Sequence, residues 1–289
     1  MSLPSISIIN FSRRLQDRDV QDAVRSVNRQ VMEDFIPIWG NGRILRLHAP
    51  SADPEDLSSL TEEAVRGESA IYLVDEATLP GALGYHDLNT RDMPVGFVFV
   101  LNPNDWTVTL SHEVLELIID PTVNIFVPGP DPRDPRNTVL HTYEVCDAVE
   151  RTSYAIDGIR VSNFLTPSYF TVGEAIGTRN DYLGVGVRSF GVTRGSHIAF
   201  FDLATNRFET VFGQQAPQVK ALARKAESYE YPKPARPSEM TLQSVLEDYH
   251  KKPHPQGMGL VQMEGITRTG RYGAAAQHMQ VKRERGGGA

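Results

Sequence analysis

The sequence predicts an α+β fold in which a mixed sheet and one polar-loaded helix lead into a half rich in β-hairpins. Three observations carry this. Short β-branched runs alternate with helical periodicities over the first 120 residues. Hairpin signatures such as Asp157-Gly158 mark the stretch that follows. Beyond Tyr231 the chain turns to Pro, Gly, Lys and Arg, the composition of a flexible tail.

The elements follow in order. Ile6 to Ile9 is a β-branched run that reads as a buried strand. Asp17 is placed to cap a helix whose apolar positions Val20, Ala23, Val24, Val27, Val31 and Phe35 recur at helical spacing. Pro37 and the Gly40-Asn41-Gly42 turn are expected to end it. Ile44 to Leu47 and Ile71 to Val74 read as strands on either side of a capped acidic segment from Asp53 to Arg66. A loop after Pro80-Gly81 leads to Val95 to Leu101, the strongest strand signal in the chain. Trp106 to Ile119 is apolar, helical from about Thr109, and stopped at Asp120-Pro121. Thr122 to Asn137 holds four prolines and reads as a surface loop. His141 to Glu150 is structured, as helix or strand. Two hairpins follow: Tyr154 to Ile156 with Ile159 to Val161, then His197 to Asp202 with Phe208 to Phe212. Gln218 to Ser228 and Thr241 to Tyr249 read as helical. The chain therefore divides into residues 1–125 with the polar-loaded helix, 126–230 completing its site, and a flexible tail over 231–289.

Composition narrows the function. The 289 residues carry a net charge of -7, which argues against a nucleic-acid partner, since phosphate binding calls for a basic surface. The basic stretch at Lys282-Arg283-Glu284-Arg285 is short and Gly-flanked. Cys146 is the single cysteine, so no intramolecular disulfide forms, in keeping with a reducing compartment. The first ten residues lack the pattern of a secretory signal, and no run approaches the roughly 18–20 apolar residues of a membrane span. A cytoplasmic protein without membrane contact is expected.

Chemistry concentrates in Ser111-His112-Glu113-Val114-Leu115-Glu116. On a helix His112 and Glu116 lie at i and i+4 on one face, so an imidazole and a carboxylate can bind one metal ion. Glu113 sits on the flank, placed to accept a proton. Asp120 continues the face and can bind metal, orient a ligand or cap the helix end. An incidental histidine on a solvated face is the plain alternative. It is weakened because Val114, Leu115, Leu117, Ile118 and Ile119 make the helix apolar, and buried carboxylates are costly unless paired or coordinated. A third ligand is expected from Glu144 or Asp147. A helical segment would put those two on one face, and an extended one on opposite faces.

Ser111-His112-Glu113, Glu116, Asp120-Pro121 and Glu144-Val145-Cys146-Asp147 together resemble the S-H-E-x-x-E-x-x-x-D-P … E-[IV]-x-D pattern of zincin-like bacterial proteins, with a partial likeness to the exordium-like proteins of plants. The detailed match covers about residues 80 to 150, including Gly84-Tyr85-His86 and Val95 to Leu101. That resemblance implies a zincin-like metallopeptidase domain, with His112 and Glu116 as zinc ligands. It also implies Glu113 as general base, Glu144 or Asp147 completing the site, and a peptide or protein substrate. Glu116 stands where a second histidine is usual, which points to a harder metal site. The alternative is a non-catalytic zincin-like module serving in an assembly such as a phage or bacterial particle, with the tail docking on a protein partner.

Other residues carry weaker signals. Tyr169 can donate to an oxyanion, although such a tyrosine more often packs. His86 and His141 can reach a metal, yet isolated histidines are more often surface or satisfied polar groups. Cys146 reads as a structural thiol. Gly184-Val185-Gly186 and Gly191 match no nucleotide fingerprint, so no nucleotide cofactor is expected.

Overall fold

A computed structural model of the chain describes residues 4–48, 69–77, 82–88, 93–102, 104–173, 175–213 and the backbone of 261–262. Five strands form the first sheet: β1 (Ser5–Asn10), β2 (Ile44–His48), β3 (Ser69–Val74), β4 (Gly84–Leu88) and β5 (Pro94–Phe99). Their spatial order is β2-β1-β3-β5-β4, parallel throughout except for β4, which runs antiparallel at the edge. β1 and β3 are buried on both faces because both faces are covered, the usual condition of inner parallel strands. β4 falls where a loop is expected from sequence. Its five residues gain strand geometry by pairing with β5 rather than from their own propensity.

The first helix departs from its sequence reading at both ends. Gln16, not Asp17, is the N-cap of α1 (Asp17–Arg29), and the Asp17 carboxylate instead accepts from Asn10 Nδ2 at 2.9 Å. The helix also runs past Pro37, through a π-helical stretch over Gln30–Phe35 into α2 (Ile36–Trp39). Proline is tolerated there because it falls in the first turn of α2, where its missing N–H costs little. Gly40, at φ 68°, ends the helix in the left-handed conformation. The central helix α3 (Trp106–Ile119) begins three residues before Thr109, after Asp105.

The second sheet contains β6 (Ile125–Pro130), β7 (Thr138–Thr142), β10 (His197–Asp202), β11 (Arg207–Phe212) and the short β12 (Val261–Gln262). Its order is β11-β10-β7-β6-β12. β6 lies in the proline-rich stretch read as a loop. It pairs with β7 along its length but with β12 only at Ile125 and Phe126, so Pro128 and Pro130 fall where the outer side needs no donor. Val261–Gln262 thus joins a sheet from within the stretch read as a tail. The segments at Asp53 to Arg66, Gln218 to Ser228 and Thr241 to Tyr249 lie outside the described residues.

Packed against α1 and α3, β8 (Ser153–Ile156) and β9 (Ile159–Ser162) form a hairpin whose turn residues Asp157 (φ 50°) and Gly158 (φ 82°) both adopt positive φ. Residues 143–146 are neither helix nor strand and lead into a 3₁₀ turn at Asp147–Val149. One apolar cluster joins Ile6, Val27, Val98, Leu110 and Val114 to Val145, Val161 and Phe164, so residues from both halves share a core. The opposite face of the first sheet carries the stacked rings Tyr72, Phe97 and Tyr85. No described helix is long and apolar enough to cross a membrane.

Candidate metal centre

α3 is buried on every side from Leu110 to Ile118, which its aliphatic residues explain and its polar ones do not. Three contacts hold it in place. The Ser111 hydroxyl donates to Gln30 Oε1 at 2.6 Å, and the Ser162 amide donates to Ser111 Oγ at 3.0 Å. Gln30 Nε2 donates to the Ser162 carbonyl at 2.8 Å. Gln30 opens the π-helical stretch, so that widened turn and β9 together clamp the helix next to His112. Beyond the helix end, the Asp120 carboxylate accepts the Asn124 and Ile125 amides, each at 3.1 Å. Of its three possible roles the structure shows the cap: Asp120 is the C-cap residue of α3, and its carboxylate orders the turn that follows.

Around α3 lies a buried concentration of histidines and carboxylates. His112 Nε2 lies 3.2 Å from Glu116 Oε2 and 3.2 Å from Asp147 Oδ1. A single ring nitrogen carries at most one proton, so the two carboxylate oxygens share one N–H in a three-centre contact or face a metal ion in its place. Glu116 Oε1 accepts the Cys146 amide at 3.2 Å, which turns Oε2 toward the imidazole. Glu144 and Asp147, the alternatives for the third position, are both buried here, beside different histidines: Glu144 Oε2 is 4.0 Å from His86 Nε2. The irregular backbone of 143–146 makes this possible, because neither helical nor extended face geometry applies to it.

His86 is fully buried, so of the surface or satisfied polar positions expected for an isolated histidine it takes the second. Its Nε2–H donates to the Asp120 carbonyl at 3.1 Å, and its Nδ1 lies 3.4 Å from Glu113 Oε2 and 4.0 Å from Glu116 Oε2. Gly84 shares this face of β4, two residues away. A Cβ at Gly84 would stand 2.8 Å from Glu113 Oε1, so glycine leaves the space the Glu113 carboxylate occupies. His197, at the start of β10, bridges Asp147 (Nε2 to Oδ2, 3.3 Å) and Glu150 (Nδ1 to Oε1, 3.4 Å). Sequence reasoning missed His197 altogether and undervalued His86. No local spacing links either to α3; only sheet pairing brings them in.

Electrostatics reflect the crowding. Burial alone would lower the pKa of His86, but Glu144, Glu113 and Glu116 outweigh it and lift it to about 9. Burial opposes the charged form of His112 and of His197 as well, and their carboxylate neighbours again prevail, raising both. Burial, with Asp147 and Glu144 nearby, pushes Glu116 up to about 7 against the pull of His112. Burial raises the Cys146 thiol, with further contributions from Glu116 and Asp147.

The remaining candidates lie at the margin. Tyr169, Glu144, Asp147 and His141 line a small cavity beside the centre. The Tyr169 hydroxyl donates to the Gly191 carbonyl at 2.6 Å, so its one proton is engaged there rather than aimed into the cavity. His141 donates from Nε2 to the Pro130 carbonyl at 2.8 Å and packs against Phe190 and Phe200. Comparison with protein-family models, with curated proteins and with solved structures finds no match for this chain.

Proposed function

We propose that this chain is a metal-dependent hydrolase of zincin-like architecture, in which His112, Glu116 and Asp147 hold a zinc ion and a peptide is the substrate. The observation that carries this reading is His112 Nε2 facing two carboxylate oxygens at 3.2 Å each. Bonds of about 2.0–2.1 Å in a tetrahedral site put neighbouring ligand atoms about 3.3 Å apart, the separation His112 keeps from Glu116 and from Asp147, while the trio whose ligand atoms all converge within 4.8 Å is His112, Glu116 and Cys146. Cys146 and Glu144 stand in reserve, since each belongs to a trio of ligand groups that includes Glu116.

When bound, the metal supplies Lewis acidity toward a carbonyl and toward water. The residues of the chain do the rest. Glu113, on the same helix but turned toward β4, accepts a proton within the centre. Gly84 and His86 hold its carboxylate in place. β4 is the edge strand of its sheet among the described residues, and an extended peptide can add to such an edge beside Glu113. An order of elements with an antiparallel edge strand next to the ligand helix supports the zincin-like reading.

Glu113 is only 2% exposed, which favours a second reading: a closed, non-catalytic metal site that staples the fold of an assembly protein. Metal analysis of the purified chain and a broad peptide-cleavage screen, with and without chelator, separate the two. Glu113→Gln is expected to keep its metal and lose hydrolysis. Metal without cleavage of any peptide leaves the structural reading standing, and a chain that binds no metal removes both.

A further inference from the structure

We propose that the centre holds two metal ions that share the Glu116 carboxylate, a conclusion that rests on the metal-dependent reading above. The geometry contains two convergent donor sets. His112, Glu116 and Cys146 place ligand atoms within 4.8 Å of one another, and so do His86, Glu116 and Glu144. Glu116 is common to both. Its Oε1 takes the Cys146 amide, while its Oε2 lies 3.2 Å from His112 Nε2 and 4.0 Å from His86 Nδ1. One carboxylate oxygen directed at two imidazoles is the arrangement of a bridging ligand.

His86 carries the second half of the argument. Its Nε2–H is committed to the Asp120 carbonyl, which leaves Nδ1 facing Glu113 and Glu116 as the ring atom that can exchange a proton for a metal ion. A backbone carbonyl taking the far N–H is the common way of orienting a metal-binding imidazole. The ring is fully buried.

Charge points the same way. Glu113, Glu116, Glu144 and Asp147 are each at most 3% exposed. Four carboxylates against one divalent ion leave a formal -2 in a buried volume, and a second divalent ion brings the sum to zero with neutral histidines. Protonation of His86 and His197 is the competing source of that charge, and a metal count distinguishes it. With one nitrogen and two carboxylates, the His86 set suits a borderline or hard ion such as Zn(II), Mn(II) or Fe(II).

The test is metal stoichiometry on the full chain, stripped with chelator, dialysed against Zn(II) and freed of loose ions by gel filtration. Two equivalents per chain are expected. His86→Gln or Glu144→Gln is expected to retain one, Asp147→Asn likewise one, and Glu116→Gln clearly less than two. One equivalent in the wild-type chain overturns the second site and leaves the proposed hydrolase standing; none overturns both. A measurement that needs no variant is Mn(II) titration followed by electron paramagnetic resonance. Addition of the second equivalent is expected to give the altered signal of a spin-coupled pair. Two equivalents with the additive signal of isolated ions would overturn the shared bridge.

Discussion

Two buried acidic clusters in this molecule solve the same electrostatic problem differently. Near the surface of the second sheet, Asp131 and Asp202 are both held by Arg133, whose Nη2 contacts Asp131 at 2.7 Å and Asp202 at 2.5 Å. Hydrogen bonds from Arg133 drop Asp131 to about 2. Around α3 the carboxylates face imidazoles instead, and burial lifts Glu116 to about 7. The guanidinium is a permanent cation, so the first cluster is complete within the chain. An imidazole can lose its proton where a guanidinium cannot, although the carboxylates here raise the pKa of His86, His112 and His197, so the second cluster is one that can trade protons for metal. The contrast separates an ion network closed within the chain from a donor set that, on the function proposed above, would take a metal ion.

The largest expected effect comes from Glu116→Gln, which removes the carboxylate common to both donor sets. Metal affinity should fall by about two orders of magnitude or more, read by competition with a chromogenic chelator. The metal-free variant should be no less stable than the metal-free parent at pH 8, because a buried carboxylate with a raised pKa has been removed. Marked destabilisation of that variant would break the comparison.

pH should act oppositely on the two clusters. In the metal-free chain the surrounding carboxylates, outweighing burial, lift His86 from the ordinary histidine value of 6.5 to about 9. Its contribution is therefore complete below about 6.5 and is lost as pH rises toward 9, on the order of 3 kcal/mol. Glu116 moves the same way, ionising near 7 rather than 4.5 at the expense of the folded state. Asp131, lowered from 3.8 to about 2, contributes stability above about 4 that disappears as pH falls toward 2. Denaturant unfolding at pH 6 and pH 9, with chelator or with zinc, should show the alkaline loss only with chelator. A flat metal-free profile would mean the imidazoles are not the counter-charge.

Smaller effects sharpen the distinction. Arg133→Ala should cost about 2 kcal/mol by leaving two buried carboxylates without their donor, with metal content unchanged. A change in metal content would show the clusters to be coupled. Ser111→Ala should cost about 1 kcal/mol and weaken metal binding a few-fold, because it loosens α3 beside His112. Parallel thermal melts and metal titrations check both.

What was legible in the chain follows physical locality. His112, Glu113 and Glu116 could be read because helical geometry ties residues four apart to one face. The Asp157-Gly158 hairpin could be read because its turn needs two positive φ angles, which Asp and Gly adopt. β4 and β6 could not: the first gains its strand geometry from β5, and the second hides among prolines that an edge tolerates. The choice between Glu144 and Asp147 stayed open because residues 143–146 follow neither helical nor strand periodicity.

By itself the sequence determined an α+β chain, the buried helix and the facing pair His112 and Glu116 on it, all products of short-range spacing. Only the tertiary structure decided that His86 and His197 join them, that Glu144 and Asp147 meet different histidines, and that Glu116 stands between two donor sets. Those contacts link residues 30 or more positions apart, such as His86 with Glu116 and His112 with Asp147. Strand register and core packing set such contacts, and no local pattern of residues encodes them.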